Sequence, residues 1–150
     1  MQTPEDGRRT HGAANAGPAL RIAALADRQG AAMIDALLGG AHGFVVEALA
    51  STADLRARLA ADDPDIALLV VDQTAAWPVT LAEDVAAAAR DRVPLLVICA
   101  AVHDAELIER RIGGPGVTVL ARSWLTADRL IDAARTAASR HRAGRSRATG

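Results

Sequence analysis

The chain has 150 residues and a mass of 15.5 kDa, enough for one compact domain and too short for two. Hydrophobic residues make up 51% and charged residues 23%, a globular balance that excludes disorder throughout, and the net charge of -1 argues against a protein built mainly to hold nucleic acid or an anionic membrane. No apolar run reaches the roughly 20 residues that span a bilayer, the lone Cys99 excludes an intramolecular disulfide framework, and no secretory or twin-arginine signal is found, so a cytoplasmic protein without a membrane partner is expected. Residues 1–18 mix Gly, Pro, Asn and charge without periodicity and read as a disordered leader. The run 20–26 (LRIAALA) reads as a first strand. Ala32, Ile34, Leu37 and Leu38 fall at helical spacing within 29–38, a helix ended by Gly39-Gly40. A second strand at 44–49 (FVVEAL) is followed by Ser51 and Asp54 at capping-box spacing, opening a helix that carries Leu55 and Leu59 and stops before Asp62-Asp63-Pro64. The run 66–71 (IALLVV), closed by Asp72, is the most strongly buried strand candidate. A loop over 73–79 leads to a second capping box, Thr80 to Glu83, and a helix to about Arg90. Pro94 opens a fourth strand at 95–99, a helix over 104–112 ends at Gly113-Gly114-Pro115-Gly116, and 117–121 is a fifth strand. The last helix begins near Thr126, with Leu130, Ile131, Ala134 and Ala138 on its inner side. The domain is expected over 19–141, with 142–150 as a basic flexible tail.

Strands that are continuous apolar runs rather than alternating ones imply a mostly parallel sheet covered by helices on both faces. Each connection is about one helix long, as right-handed crossovers require. The fold class that follows is α/β: a doubly wound, five-stranded, flavodoxin-like sheet of order 2-1-3-4-5.

All 17 basic residues are arginine, which removes Schiff-base and P-loop lysine chemistry. Phe44, Trp77 and Trp124 are the whole aromatic content, so the core has to come from Leu, Val, Ile and Ala, and stacking platforms for single-stranded nucleic acid are missing. Ligands of open α/β sheets bind beyond the carboxyl ends of the strands, where strand order reverses. The candidates there are Asp27 after strand 1, Asp72 after strand 3, Cys99 ending strand 4 and Arg122 after strand 5. Two carboxylates and an arginine suit a hard cation and an anionic group. An acid at such a position also caps the next helix, and for Asp27 both readings stand.

The segments LRIAALADR, GFVVEALASTADLRARLAADDPDIALLVVD and VTVLARSWLTADRLIDAARTA, in that order, resemble receiver domains of two-component response regulators, especially the NarL/LuxR type. The resemblance covers about residues 20–140 and rests on the order of several weak motifs. It implies a domain in which an acidic pair after strand 1 and an aspartate ending strand 3 hold Mg²⁺. That aspartate accepts a phosphoryl group, whose oxygens are met by a Ser or Thr ending strand 4 and a Lys after strand 5. Carried over by position, the acidic pair falls on Ala26 and Asp27, and the hydroxyl on Cys99, or on Ala100 if the strand ends one later. The lysine falls on Arg122, the proline after it on Ser123, and the aromatic switch residue near Val119. Asp72 is the phosphoacceptor-like residue: an ungapped count from Pro64-Asp65 reaches Val70, and Asp72 points to the same side of a strand. The Met-Pro that usually follows the acceptor is replaced by the loop QTAAWP.

Losing one of three acids weakens the hold on a cation that demands close octahedral oxygen coordination. A thiol is a poorer partner for phosphoryl oxygen than a hydroxyl, and a guanidinium does not simply replace an ammonium. The expectation is an atypical, pseudo-receiver-like domain with phosphorylation impaired or lost, no enzymatic activity, and no cofactor beyond a weakened Mg²⁺ held by Asp27 and Asp72. It acts through a protein partner or itself, the resemblance implying a homodimer through the last two strand–helix units.

Two other readings compete. The first is an enzyme or small-ligand binder on the same fold, against which the turn ADRQG lacks the clustered glycines of a phosphate or flavin loop. Asp72-Gln-Thr also lacks the second aspartate of a phosphoaspartyl hydrolase, and no Ser/His or Cys/His arrangement is present. The second is the receiver fragment of a DNA-binding transcription regulator, with DNA as partner only if a C-terminal reading domain follows. Arg135, Arg140, Arg142, Arg145 and Arg147 by themselves imply weak, salt-sensitive phosphate contact, or a helix end stabilised by positive charge. Cys99 reads as an inert core thiol, and His11, His42, His103 and His141, without metal-pair spacing, as surface or loop residues. Trp77 and Trp124 are the interaction candidates; Trp124 is expected to pack in the core or at its rim, and Trp77 to be either a partner anchor or an inward-folded aromatic.

Overall fold

A strand with no polar position has to be covered on both faces, and the two strands of that kind, 66–71 and 95–99, lie side by side in the middle of the sheet. The structure, a computed structural model, describes residues 19–39, 43–61, 64–71, 77–90 and 92–149, with side chains to residue 144. In chain order the elements are β1 (Leu20–Leu25), α1 (Arg28–Leu38), β2 (Phe44–Leu49), α2 (Thr52–Ala60), β3 (Ile66–Val71), α3 (Pro78–Ala89), β4 (Leu95–Cys99), α4 (Val102–Ile112), β5 (Val117–Ala121), a 3-10 turn (Arg122–Trp124) and α5 (Ala127–Thr149). The strands pair in parallel in the order β2-β1-β3-β4-β5. This is the doubly wound, flavodoxin-like order expected from the sequence.

Alternation along each strand divides the core into two layers. Ala67, Leu69 and Val71 of β3, with Leu95, Val97 and Cys99 of β4, face Leu55 and Leu59 of α2, Val85 of α3 and Ile108 of α4. On the other face Ile66, Leu68, Leu96 and Ile98 meet Ile34 and Leu38 of α1 and Leu130, Ala134 and Ala138 of α5. Among the described residues no polar or charged side chain is buried. The interior of both layers is apolar, and polar contacts such as Arg111 with Glu83 lie at its margin.

Local chemistry sets the helix starts. Asp27 Oδ1 accepts from the Gly30 N–H at 2.7 Å, Ser51 Oγ from the Asp54 N–H at 3.1 Å, and Thr126 Oγ1 from the Arg129 N–H at 3.2 Å. α3 differs from its expected start: it opens at Pro78, whose fixed φ suits the first helical position and whose missing N–H leaves one donor fewer to cap. Thr80 and Glu83 therefore lie inside the helix rather than forming its cap. α4 starts at Val102, two residues before the expected Asp104. α5 runs on to Thr149, past Arg142 where a flexible tail was expected.

One expectation is corrected. Burial on both faces holds for β3 and β4 and fails for β2, where Val45, Val46, Glu47 and Ala48 are exposed. β2 is an edge strand with a neighbour on one side only, and Glu47 on it pairs with Arg58 of α2 at 2.5 Å. Replacing Leu69, fully buried, by alanine is expected to cost about 2–5 kcal/mol, whereas Val45→Ala on the open edge should change stability by no more than about 0.5 kcal/mol. Urea denaturation midpoints of the two variants check the contrast.

Candidate functional site

The register brings three strand ends abreast: Val71 pairs with Cys99, and Cys99 with Ala121. β1 stops lower, with Leu25 beside Leu69. The residues beyond these ends, Ala26 and Asp27, Ala100, and Arg122, form the carboxyl rim where a ligand of this fold class binds. Asp72, the expected phosphoacceptor-like residue, lies outside the described residues, as do His11 and His42.

Asp27 is exposed at the head of α1, with one carboxylate oxygen committed to the cap. Ala26, at the place of the first acid of the pair, is half-buried. Gly30 in the first turn of α1 is buried against it: a Cβ there would stand 3.0 Å from the Ala26 Cβ and 3.0 Å from Val70 Cγ1. Small groups at 26 and 30 let α1 approach β1 and β3 closely. Val70, reached by the ungapped count, is thus an apolar packing residue under α1.

Cys99 is fully buried in the layer beneath α3 and α4. Burial, and after it the nearby Asp104 carboxylate, pushes its thiol up to about 11. Ala100 is the first residue past the strand, and its N–H donates to Val71 O at 2.9 Å. Asp104 is a residue the sequence reading passed over. Its signal was an acid in the first turn of a helix, a position so common for dipole reasons that it draws no notice.

Arg122 is exposed at the start of the 3-10 turn and borders a shallow hollow with Gln29, Ala32, Met33, Ala36 and Leu37 of α1. No ion pair joins it to Asp27 among the described residues. Ser123 beside it is exposed, and Val119 is half-buried on the α4 side of β5.

Trp124 corrects the expectation of a core or rim packer: it is 67% exposed. The 3-10 turn carries it off the end of β5, and Arg129 Nη1 holds its carbonyl at 2.9 Å. Trp77 is 76% exposed where the chain enters α3, and Val102 is 41% exposed at the start of α4. Three large apolar side chains therefore stand in solvent on the segments that follow β3, β4 and β5. Among the described residues no three His, Cys, Asp or Glu side chains come together as metal ligands, and no helix is long and apolar enough to cross a membrane.

No family model matches the chain, and no curated protein matches it. Solved structures do. The N-terminal signal receiver domain of a two-component response regulator from Bacteroides fragilis superposes with a TM-score of 0.62 at 21% identity, over 80% of this chain and 97% of that one. The signal receiver domain of an HD domain-containing protein from Pseudomonas fluorescens gives a TM-score of 0.66 at 13% identity, over 87% and 95%. A protein named as pilus assembly-related from Burkholderia pseudomallei gives 0.62 at 21%, over 81% and 90%. The chain has the receiver fold.

Two outcomes follow from the site geometry. Asp27→Ala should cost about 0.5–2 kcal/mol by uncapping α1, and Asp27→Asn, which keeps the acceptor, should restore most of it in thermal melts. The folded Cys99 thiol lies above its ordinary value of 9.0, so the stability it contributes is complete below about 9 and falls as pH rises toward about 11. The slope of stability against pH in that window should flatten in Cys99→Ala.

Proposed function

We propose that this chain is an atypical receiver-like signalling domain, residues 19–141 between a leader and a basic tail, that works by protein–protein contact or self-association, with phosphoryl transfer impaired or lost. The observation that carries this reading is what occupies the strand-end positions. Ala26 is a methyl packed against Gly30, Cys99 is a buried thiol kept protonated, and Asp27 has an oxygen tied up in a helix cap. Mg²⁺ takes near-octahedral oxygen coordination, and with alanine at position 26 Asp27 is the one acid directly after β1, which supports a weakened hold on the ion. Exposed Trp77, Trp124 and the aliphatic Val102 on the same rim favour contact with another protein, since apolar side chains left in solvent mark interaction surfaces and tryptophans dominate them.

A second reading, a docking module inside a larger assembly without any phosphorelay, is favoured by the likeness to the pilus assembly-related protein. Both readings assign the rim to a protein partner. DNA enters only through a further domain, and the cytoplasm is the compartment that suits such signalling.

Incubation with acetyl phosphate and Mg²⁺, followed by intact-mass measurement, should leave Asp72 without stoichiometric phosphorylation; full modification would sink the proposal. Light scattering should reveal a dimer whose concentration dependence is unmoved by Mg²⁺. Trp77→Ala with Trp124→Ala should weaken self-association or partner binding about tenfold while shifting stability by less than about 0.5 kcal/mol per site.

A further inference from the structure

We propose that the free edge of β2 pairs antiparallel with β2 of a second copy of this chain, joining the two sheets into one across a twofold axis at Val46. This goes beyond the proposed function, which assigns protein contact to the carboxyl rim, and the two ideas can fail separately. It also places self-association at the opposite edge of the sheet from the last two strand–helix units.

The ladder fixes which backbone groups are free. Leu20 pairs with Phe44, the Leu20 N–H donates to Gly43 O at 2.8 Å, and at the far end the Ala26 N–H donates to Leu49 O at 3.3 Å. In a parallel pair this phase turns the N–H and C=O of Val45 and Glu47 toward β1 and those of Phe44, Val46 and Ala48 away from it. Among the described residues none of these outward groups has a protein partner. An unpaired row of this kind is a template for another strand.

The side chains leave the same edge bare. Val45 is 54% and Val46 36% exposed, on opposite faces of the strand, and Glu47 and Ala48 are exposed as well. Neither flanking helix covers them, because Ile34 and Leu38 of α1 and Leu55 and Leu59 of α2 pack into the layers built on β1, β3 and β4. Edge strands are normally guarded by charge or proline. β2 has no proline, and its one charge, Glu47, is already paired with Arg58 of the same chain. The edge at β5 differs: Gly114 bridges to Val117 at its start, and its side chains are half-buried.

The sequence of the edge selects the occupant. With the axis at Val46, the valines of the two copies oppose each other, and Phe44 of each lies opposite Ala48 of the other, a large side chain against a small one. These are the residues whose N–H and C=O face outward, so every such pair exchanges both its bonds. Val45 stands opposite Glu47 of the second copy, and the two Glu47 carboxylates lie on a diagonal, each held by its own Arg58. Moving the axis to Glu47 would set the two carboxylates directly opposite, and moving it to Val45 would leave Ala48 facing residues outside the strand. A patch that complements itself about one point makes a closed twofold contact.

The full chain is followed by sedimentation equilibrium, where a monomer–dimer equilibrium is expected below about 1 mM. Val46→Lys sets two ammonium groups opposite each other at the axis and should raise the dissociation constant at least about tenfold. Val46→Cys and Val45→Cys, each treated with diamide, read the register. Opposed Cα atoms of a hydrogen-bonded antiparallel pair are about 5.5 Å apart, within disulfide reach, whereas the diagonal pair at Val45 lies about 7–8 Å apart, outside it. Val46→Cys should therefore cross-link the copies and Val45→Cys should not; these variants decide the matter even where Val46→Lys unfolds. A chain that stays monomeric at about 1 mM, no cross-link in Val46→Cys, or equal cross-linking of both cysteine variants overturns the proposal. A dimer that Val46→Lys leaves intact and that Trp77→Ala with Trp124→Ala dissociates overturns it in favour of the rim.

Discussion

The burial of β3 and β4 on both faces is the constraint on which the other placements depend. Their eleven inward and outward positions hold no polar side chain, so each face needs its own helical layer, and the five helices are divided between the two. With no buried polar pair to fix register, the register comes from the fit of Leu, Val, Ile and Ala side chains and from the ladder itself. That fit sets the strand ends level at Val71, Cys99 and Ala121, and so decides which residues stand on the rim.

Packing governs which groups stand at the rim. Closer approach of α1 to the sheet requires small groups, and Gly30 and Ala26 supply them. A carboxylate in place of the Ala26 methyl would crowd Gly30 and bring charge to a half-buried position. Cys99 fits the same logic. At the end of β4 its thiol fills apolar space under α3 and α4, and burial keeps it protonated. At both positions the group present serves packing.

The two ends of the sheet differ in kind. At the carboxyl end, helix starts and the 3-10 turn present Trp77, Val102 and Trp124 as side chains. At the amino ends of β4 and β5 lies a hollow bordered by Leu95, Val117, Arg90, Arg111 and Arg140. Contacts of the first kind discriminate by shape and apolar area.

Much of the architecture was legible in the amino-acid order. All five strands, the helices between them and the strand order follow from apolar runs, their spacing and the length of each crossover, because these are properties of neighbours along the chain. The cap at Ser51 and a helix start near Thr126 were readable for the same reason. The helix starts at Pro78 and Val102, and the reach of α5 to Thr149, were not, since propensity leaves the ends of a periodic segment loosely defined. The sequence alone nominated Asp27, Cys99, Arg122 and the two tryptophans. Tertiary structure alone decided that Asp27 caps α1, that Cys99 is sealed in the core near Asp104, that Trp124 faces solvent and that β2 has an open edge. Each of those depends on what lies across space from the residue, and burial and pairing between segments far apart in the chain are not written in any local pattern.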